Sequence, residues 1–435
     1  MTEVDDAARL RLIDIQKLQF ADRGAAELAL LALLQKSEDA AITRVELRPK
    51  PESLNSINGF VTFGESERYF FKMHVEENER LDEYYNAKAL ADAGYPVVTA
   101  KQITHRPGKQ LVLYEIIEFA TLFDVAKATE DELLQLRGAH EASNFDAMVA
   151  AQNQLDEITS SIYARTLKQT PETDDRRAPI HQLFSHRLAE DGRLRLFYRG
   201  KTMKTEAGTQ VDFDELANMH WVINGVRYGE TLNEIIERAQ IQLAPAAGPS
   251  VVGHGDAHNG NVFFDAADNR LLLFDPAFAG RHHPLLDLTK PLFHNVFARW
   301  MYYPDEVDKE FTLGMVMDKD IIEITHNFEI SSLREAFLES KLKHVLRPTL
   351  ELLQAQGMLR GDWQTYLRSS LFCCPFLTVN HFAPYKADGT LSERYSFGVR
   401  MLGLSMAVEL GSGSCEGSNS MTSRLDRILE SPFAG

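Results

Sequence analysis

A chain of 435 residues, 44% of them hydrophobic, is long enough for two or three domains with a large core. Its formal charge of -17, from 63 acidic against 46 basic residues, excludes general nucleic-acid binding, which needs a basic footprint. Three cysteines, Cys373, Cys374 and Cys415, make no disulfide framework, the acidic start MTEVDDAARLRL is no signal peptide, and no apolar run reaches the roughly 18 to 20 residues of a membrane span; together these point to a cytoplasmic setting with no membrane partner.

Residues 1 to 40 predict a helical extension, with Leu, Ile and Ala at helical spacing. Such a hairpin suits packing on a neighbouring lobe or on a dimer partner, so a homodimer stays open. From residue 41 the pattern changes to period-two alternation in ITRVELRPK, NGFVTFG and ERYFFKMHV, which predicts an antiparallel meander. The third strand puts Lys72 on one face with Phe70 and His74, and Tyr69, Phe71, Met73 and Val75 on the other. A lysine in that setting wants an anion, although taken alone it equally suits an edge position with its stem reaching to water. The helix that follows, ending at Gly94 and Pro96, has an acidic first turn. Glu83 in it is placed to meet Lys72, or else belongs to a solvated face.

QLVLYEIIEFA reads as a strand running into an irregular stretch, with a domain boundary near Glu118 to Thr121. The predicted organisation is therefore 1–40, an N-lobe at 41–119 that binds nucleotide, and a helical C-lobe at 120–435. Inside the last, RLRLFYRGKTMK, TQVDFDEL and HWVINGVRYGETL alternate like short strands and predict an insertion at about 190–230. Its Tyr198, Arg199, Trp221 and Arg227 are candidates for contact with a small ligand. Beyond Leu288 the chain reads as helix with aromatic patches, and 411–423 as a flexible loop.

The densest chemistry lies in VVGHGDAHNGNVFFDAADNRLLLFDPAFAGRHHPLLDL, residues 251–288. Asp256 and Asp275 each stand beside an apolar run, and a buried carboxylate is costly unless it is paired or coordinates a metal. His254, Gly255, Asp256 and Asn261 follow the catalytic-loop pattern His-x-Asp with an Asn five positions after the Asp, in which the Asp faces an incoming hydroxyl and the Asn oxygen a metal. Asp275 supplies a charged oxygen of the hard kind that Mg²⁺ prefers. A hydrolytic metal site built from His254, His258, His282, His283 and Asp256 is the competing chemistry, but the ligands lack helical i, i+4 spacing and it leaves Lys72 and Glu83 idle. A structural reading makes His254 a core histidine and Gly255-Asp256 a turn.

With these residues in order, HGDAHNGNVFFD, LLLFDPAFAG and Asp287-Leu288 resemble the aminoglycoside phosphotransferase and choline-kinase family, the small-molecule branch of the protein-kinase-like fold. The family's loop is His-Gly-Asp-Leu-His-x-x-Asn, and Ala257 stands here at the Leu. The resemblance implies an α+β, bilobal fold, with a small antiparallel-sheet N-lobe carrying one helix and a larger, mostly helical C-lobe. It implies ATP as co-substrate, with GTP not distinguished, and Mg²⁺ as cofactor. By the same likeness Asp256 contacts the acceptor hydroxyl, Asn261 and Asp275 ligate Mg²⁺, and Lys72 paired with Glu83 holds the phosphates. Glu115 and Ile117 lie in the hinge whose backbone bonds adenine, and His254, His258 and Asp287 are supporting residues.

The departures narrow the class. The first hairpin has Gly59 but no G-x-G-x-x-G, Gly255 stands where protein kinases carry Arg, Asp275 is followed by Pro-Ala, and no Ala-Pro-Glu segment follows. The expectation is transfer of the γ-phosphoryl group of ATP to a hydroxyl of a small molecule: an amino sugar, sugar or amino alcohol. The alternatives are a nucleotide-binding pseudokinase or interaction module of the same fold, or a nucleotidyl or phosphoryl transferase acting on a protein.

Overall fold

The structure, a computed structural model, describes residues 3–37, 41–48, 56–74, 82–103, 110–135, 143–205, 208, 210–383, 395–416 and 421–432. The chain divides into two compact units, one made of Met1–Asp92, Pro96–Phe119 and Leu272–Ala277, the other of Ala93–Tyr95, Ala120–Leu271 and Phe278–Gly435.

The small unit is built on five antiparallel strands, β1 (Ile42–Leu47), β2 (Ser56–Phe63), β3 (Glu67–His74), β4 (Gln102–Ile103) and β5 (Gln110–Tyr114), in the order β1-β2-β3-β5-β4. The expected alternation on β3 is present. Phe71 and Met73 are fully buried in the main core of the unit, while Phe70 packs on the other face against Val112 and Tyr114. Lys72, opposite Asn58 and Val112, shares that second face.

The first face is closed by helices α1 (Glu3–Ala21) and α2 (Arg23–Ser37). Leu12, Leu30 and Leu34 are fully buried beside Ile42, Ile57 and Val61, each worth roughly 1.5 to 3 kcal/mol of burial. Asp22 separates the two helices, its Oδ1 accepting from the Ala25 N–H at 3.0 Å as an N-cap. The helical extension predicted for 1–40 is thus no separate segment. Its apolar face is taken up by the chain's own sheet, and Glu27 on α2 accepts from the Leu47 N–H at 2.8 Å.

A second correction concerns Leu272–Ala277, predicted inside the C-lobe. Leu273 bridges Val97, donating to the Pro96 carbonyl at 2.7 Å and accepting from the Val98 N–H at 2.8 Å. These backbone bonds tie the segment to the small unit. Asn86, on α3 (Asp82–Ala93), fixes its other end by donating to the Pro276 carbonyl at 3.1 Å.

The large unit is mostly helical. Its three-stranded sheet, Lys168–Thr170, Gly248–Gly253 and Gly280–His282, has the strand that leads into the catalytic-loop sequence at its centre. The predicted insertion is less regular than expected. Arg193–Phe197 is a helical turn, because its alternating residues are too few to pair, and only Thr202–Lys204 with Gln210–Asp212, and His220–Ile223 with Val226–Tyr228, form ladders. The expectation of helix alone after Leu288 fails at Leu313–Asp318 and Ile321–His326, an antiparallel pair joined to His220–Ile223. There LGMVMDKDIIEITH alternates, and Lys319 takes the left-handed turn conformation at φ 51°. In the stretch predicted as a flexible loop, Ser414–Glu416 pairs with Val226–Tyr228; residues 417–420 lie outside the described residues.

Glu409, on the buried helix Phe397–Gly411, accepts from the Tyr228 hydroxyl at 3.3 Å through Oε1, while Oε2 has no hydrogen-bond partner among the described residues. Burial, reinforced by the like charge of Asp426 and only partly opposed by Tyr228, pushes its carboxyl up to about 8. A raised folded-state value gives stability that is complete below the ordinary carboxylate range and lost as pH climbs to about 8. Glu409→Gln is therefore expected to match the native protein near pH 4 and to exceed it by roughly 1 to 3 kcal/mol at pH 8 to 9. Urea unfolding at the two pH values measures this, and a difference independent of pH would show that Glu409 ionises freely.

Candidate active site

The catalytic-loop sequence lies in the large unit. Asp287, at the start of the helix Pro284–Val296 and almost fully buried, accepts three hydrogen bonds. They come from the Tyr163 hydroxyl at 2.5 Å, the Gly255 N–H at 2.6 Å and His282 Nε2 at 2.9 Å. Burial alone would raise this carboxyl, but the His282 hydrogen bond and charge, then Tyr163 and Gly255, hold it below the usual value. The glycine at 253 follows from this carboxylate, and the one at 255 from the backbone packed beside it. A Cβ at Gly253 would lie 2.4 Å from Asp287 Cγ, and one at Gly255, which has φ +80°, would lie 2.5 Å from the Phe278 carbonyl oxygen.

Asp256 follows directly. Its backbone N–H donates to His254 Nδ1 at 3.3 Å, and its carbonyl accepts from the His258 N–H at 2.8 Å and from Asn261 Nδ2 at 2.9 Å. The carboxylate itself is held differently. Among the described residues no hydrogen bond reaches the buried Oδ1; Lys290 Nζ stands 3.7 Å from it, and His258 Nε2 stands 3.8 Å from Oδ2. Burial would raise the Asp256 carboxyl, yet the positive field of Lys290 first, then of His258, His254 and Arg187, keeps it below the ordinary range. Asp256 is an anion at neutral pH whose oxygens remain open to a proton-bearing group.

His258 caps the short turn Asn259–Asn261, accepting the Gly260 N–H at 3.1 Å on Nδ1. That bond takes up Nδ1 and leaves Nε2 as the ring nitrogen that faces Asp256. Asn261 has its amide nitrogen committed to the Asp256 carbonyl, so its Oδ1 is the outward atom, without a partner among the described residues.

In the small unit Lys72 Nζ donates to Asp275 Oδ1 at 3.1 Å. Asp275 has φ 52° and precedes Pro276, where the left-handed region is disfavoured, so the anchors at Leu273 and Pro276 hold a strained residue in place. Its Oδ2 has no partner among the described residues, and the side chain is 43% exposed. Asn261 and Asp275 thus each present a hard, unengaged oxygen, the donor chemistry that suits Mg²⁺. Glu83 lies on α3, but its side chain is outside the described ones. Glu115 and Ile117 follow β5 in an irregular stretch, and exposed Glu115 lies 3.5 Å from Lys101 Nζ.

The competing hydrolytic site is not assembled. His282 is committed to Asp287, His283 accepts from the Leu285 N–H at 3.2 Å and packs on Tyr366, and among the described residues no three His, Cys, Asp or Glu side chains gather in ligand geometry. Of the four ligand-contact candidates in the insertion, three serve the fold. Tyr198 is buried against Phe376 and donates to the Phe376 and Val379 carbonyls, Arg199 pairs with Asp214 and Asn233, and Trp221 is fully buried; Arg227 alone is exposed. Tyr163 and Lys290 were missed, and His282 was considered only as a metal ligand, not as the partner of Asp287. Only Lys290 carried a signal, a lysine in a helix whose residues are otherwise mostly apolar.

Residues 60–312 match the family model described as the phosphotransferase enzyme family. The chain belongs to this family. Its fold is accordingly protein-kinase-like, and it is a phosphotransferase acting on small molecules. No curated protein matches it by sequence. Among solved structures it is similar to a glucosamine kinase (14% identity, TM-score 0.44, 88% of this chain and 81% of that one). It is also similar to spectinomycin phosphotransferase in complex with ADP and spectinomycin (12%, 0.37, 88% and 98%), and to choline kinase from Cryptosporidium parvum Iowa II (11%, 0.33, 88% and 94%).

The Asp287 network predicts its own test. Asp287→Asn is expected to cost about 2 to 4 kcal/mol at pH 7. Because the native carboxyl is depressed, its contribution is complete above the ordinary value near 4 and fades as pH falls through the lower folded value. The deficit of the variant should therefore shrink in acid, as read by denaturant unfolding between pH 7 and 3.

Proposed function

We propose that this phosphotransferase moves the γ-phosphoryl group of ATP to a hydroxyl of a small molecule, an amino sugar, sugar or amino alcohol, in an Mg²⁺-dependent reaction. The observation that carries the reading is Asp256: a buried carboxylate kept ionised by surrounding charge, with its oxygens free of hydrogen bonds among the described residues. In this reading Asp256 takes the proton of the acceptor hydroxyl as that oxygen bonds phosphorus and the bond from phosphorus to the ADP oxygen breaks. Lys72 steadies the nucleotide phosphates, with Glu83 as its proposed partner, and the backbone around Glu115 and Ile117 receives the adenine. Asn261 and Asp275 would hold Mg²⁺, which supplies charge neutralisation on the phosphates. His254, His258 and Asp287 shape the loop. Positioning and charge are the main demands of this chemistry, so such a set is sufficient.

A panel of hydroxylated metabolites incubated with ATP labelled separately at the α and γ positions tests the reaction class. The γ label should pass to an acceptor with release of ADP; passage of the α label would show nucleotidyl transfer instead. Asp256→Asn is expected to lower turnover by about 10² to 10⁴ while nucleotide still binds, and unchanged turnover would overturn the assignment. With Asp275→Ala, nucleotide affinity should lose its dependence on Mg²⁺, read by titration with and without the metal.

A further inference from the structure

The helix Pro284–Val296 is buried along its whole length and lined by Leu, Phe and Val, yet it carries Lys290, whose side chain is only 5% exposed. An ammonium in such a place needs an anion. Among the described residues its one ion pair is with Asp256, at 3.7 Å. That distance is too long for a hydrogen bond, so the cation faces the carboxylate oxygen without occupying its lone pairs.

Lys290 is itself held from behind. Its Nζ lies 2.9 Å from Nε2 of His294, one turn along the same helix, and His294 Nδ1 lies 2.7 Å from the Tyr302 hydroxyl. An ammonium only donates, so Nε2 must accept and the ring carries its proton on Nδ1, toward Tyr302. Burial, then the charges of Lys290, His258 and Arg187, hold His294 well below the usual histidine range and so neutral. The ring of His258 stands 5.3 Å from that of His294. The array Tyr302, His294, Lys290 therefore points one fixed positive charge at the carboxylate.

We propose that Lys290, braced by His294 and Tyr302, is the positioning residue for Asp256, aligning its carboxylate by charge while leaving the oxygens free for the acceptor hydroxyl. This rests on the proposed role of Asp256 as proton acceptor. A positioning charge acts on the chemical step and not on nucleotide binding, which separates it from a role in packing.

The test measures ADP release from MgATP by the full chain, with the acceptor found in the panel or with water as the slow acceptor. Lys290→Met keeps the stem and removes the charge. It is expected to lower kcat about 10²-fold, with KM for MgATP within twofold and an unchanged thermal midpoint. Lys290→Arg, which keeps the charge, should retain a tenth or more of kcat. A folded Lys290→Met with native kcat overturns the proposal, as does a loss that Lys290→Arg reproduces in full. Should Lys290→Met not fold, Tyr302→Phe decides: a severalfold loss of kcat at constant KM supports the brace, and native kcat overturns it. Asp256→Asn in parallel separates the two readings, since native turnover in that variant removes the proposed function itself, whereas an inactive Asp256→Asn beside a fully active Lys290→Met removes only the role of Lys290.

Discussion

The catalytic loop hangs on one buried carboxylate, Asp287. Three donors, Tyr163 from 124 residues away, Gly255 from the loop and His282 from the strand just before the helix, converge on it, and each supplies a hydrogen bond that an isolated buried anion would lack. The close approach of the carboxylate dictates glycine at 253, while the Phe278 backbone and a positive φ dictate it at 255, and the left-handed turn at Gly255 sets the direction in which Asp256 leaves the strand. A short sequence motif is in this sense the visible edge of a larger constraint, one in which a helix, a strand and a loop are pinned to the same two oxygens.

Three buried carboxylates of the large unit are held in three different ways. Asp287 is saturated with donors and serves as an anchor. Asp256 is surrounded by cations that stop short of hydrogen-bonding distance, so it keeps its charge and its lone pairs together. Among the described residues Glu409 has neither a paired cation nor a full set of donors, and burial leaves it protonated at neutral pH. The same functional group becomes a fixed post, a reactive anion or a neutral filler according to what stands within about 4 Å of it.

The loop was legible in the sequence because its chemistry is local: His254, Asp256, His258 and Asn261 lie within eight residues, and their mutual hydrogen bonds are set by that spacing. The alternation of β1 to β3 was legible for the same reason. What could not be read were partners chosen by tertiary packing. Nothing in the surroundings of Tyr163 announces a contact 124 residues away, and Lys290 looked like one polar residue in a core helix. The aromatic and basic residues of the insertion misled in the opposite sense, since residue types that bind ligands also fill cores, and Tyr198 and Trp221 do the latter. The hairpin at 313–326 was missed because its alternation sits between two long helical patterns.

The small unit is not a contiguous piece of chain. Its helices and sheet come from the first 119 residues, but the segment that pairs with Pro96 and Val98 and brings Asp275 to Lys72 arrives only at 272–277. During synthesis the unit must wait, with that backbone edge unfilled, until more than 150 further residues have been made, so its completion depends on contacts of long sequence separation, which are slow to form. A fragment ending at residue 119 would contain Lys72 but not the carboxylate it meets, and so could not be cut out as a self-sufficient nucleotide-binding module.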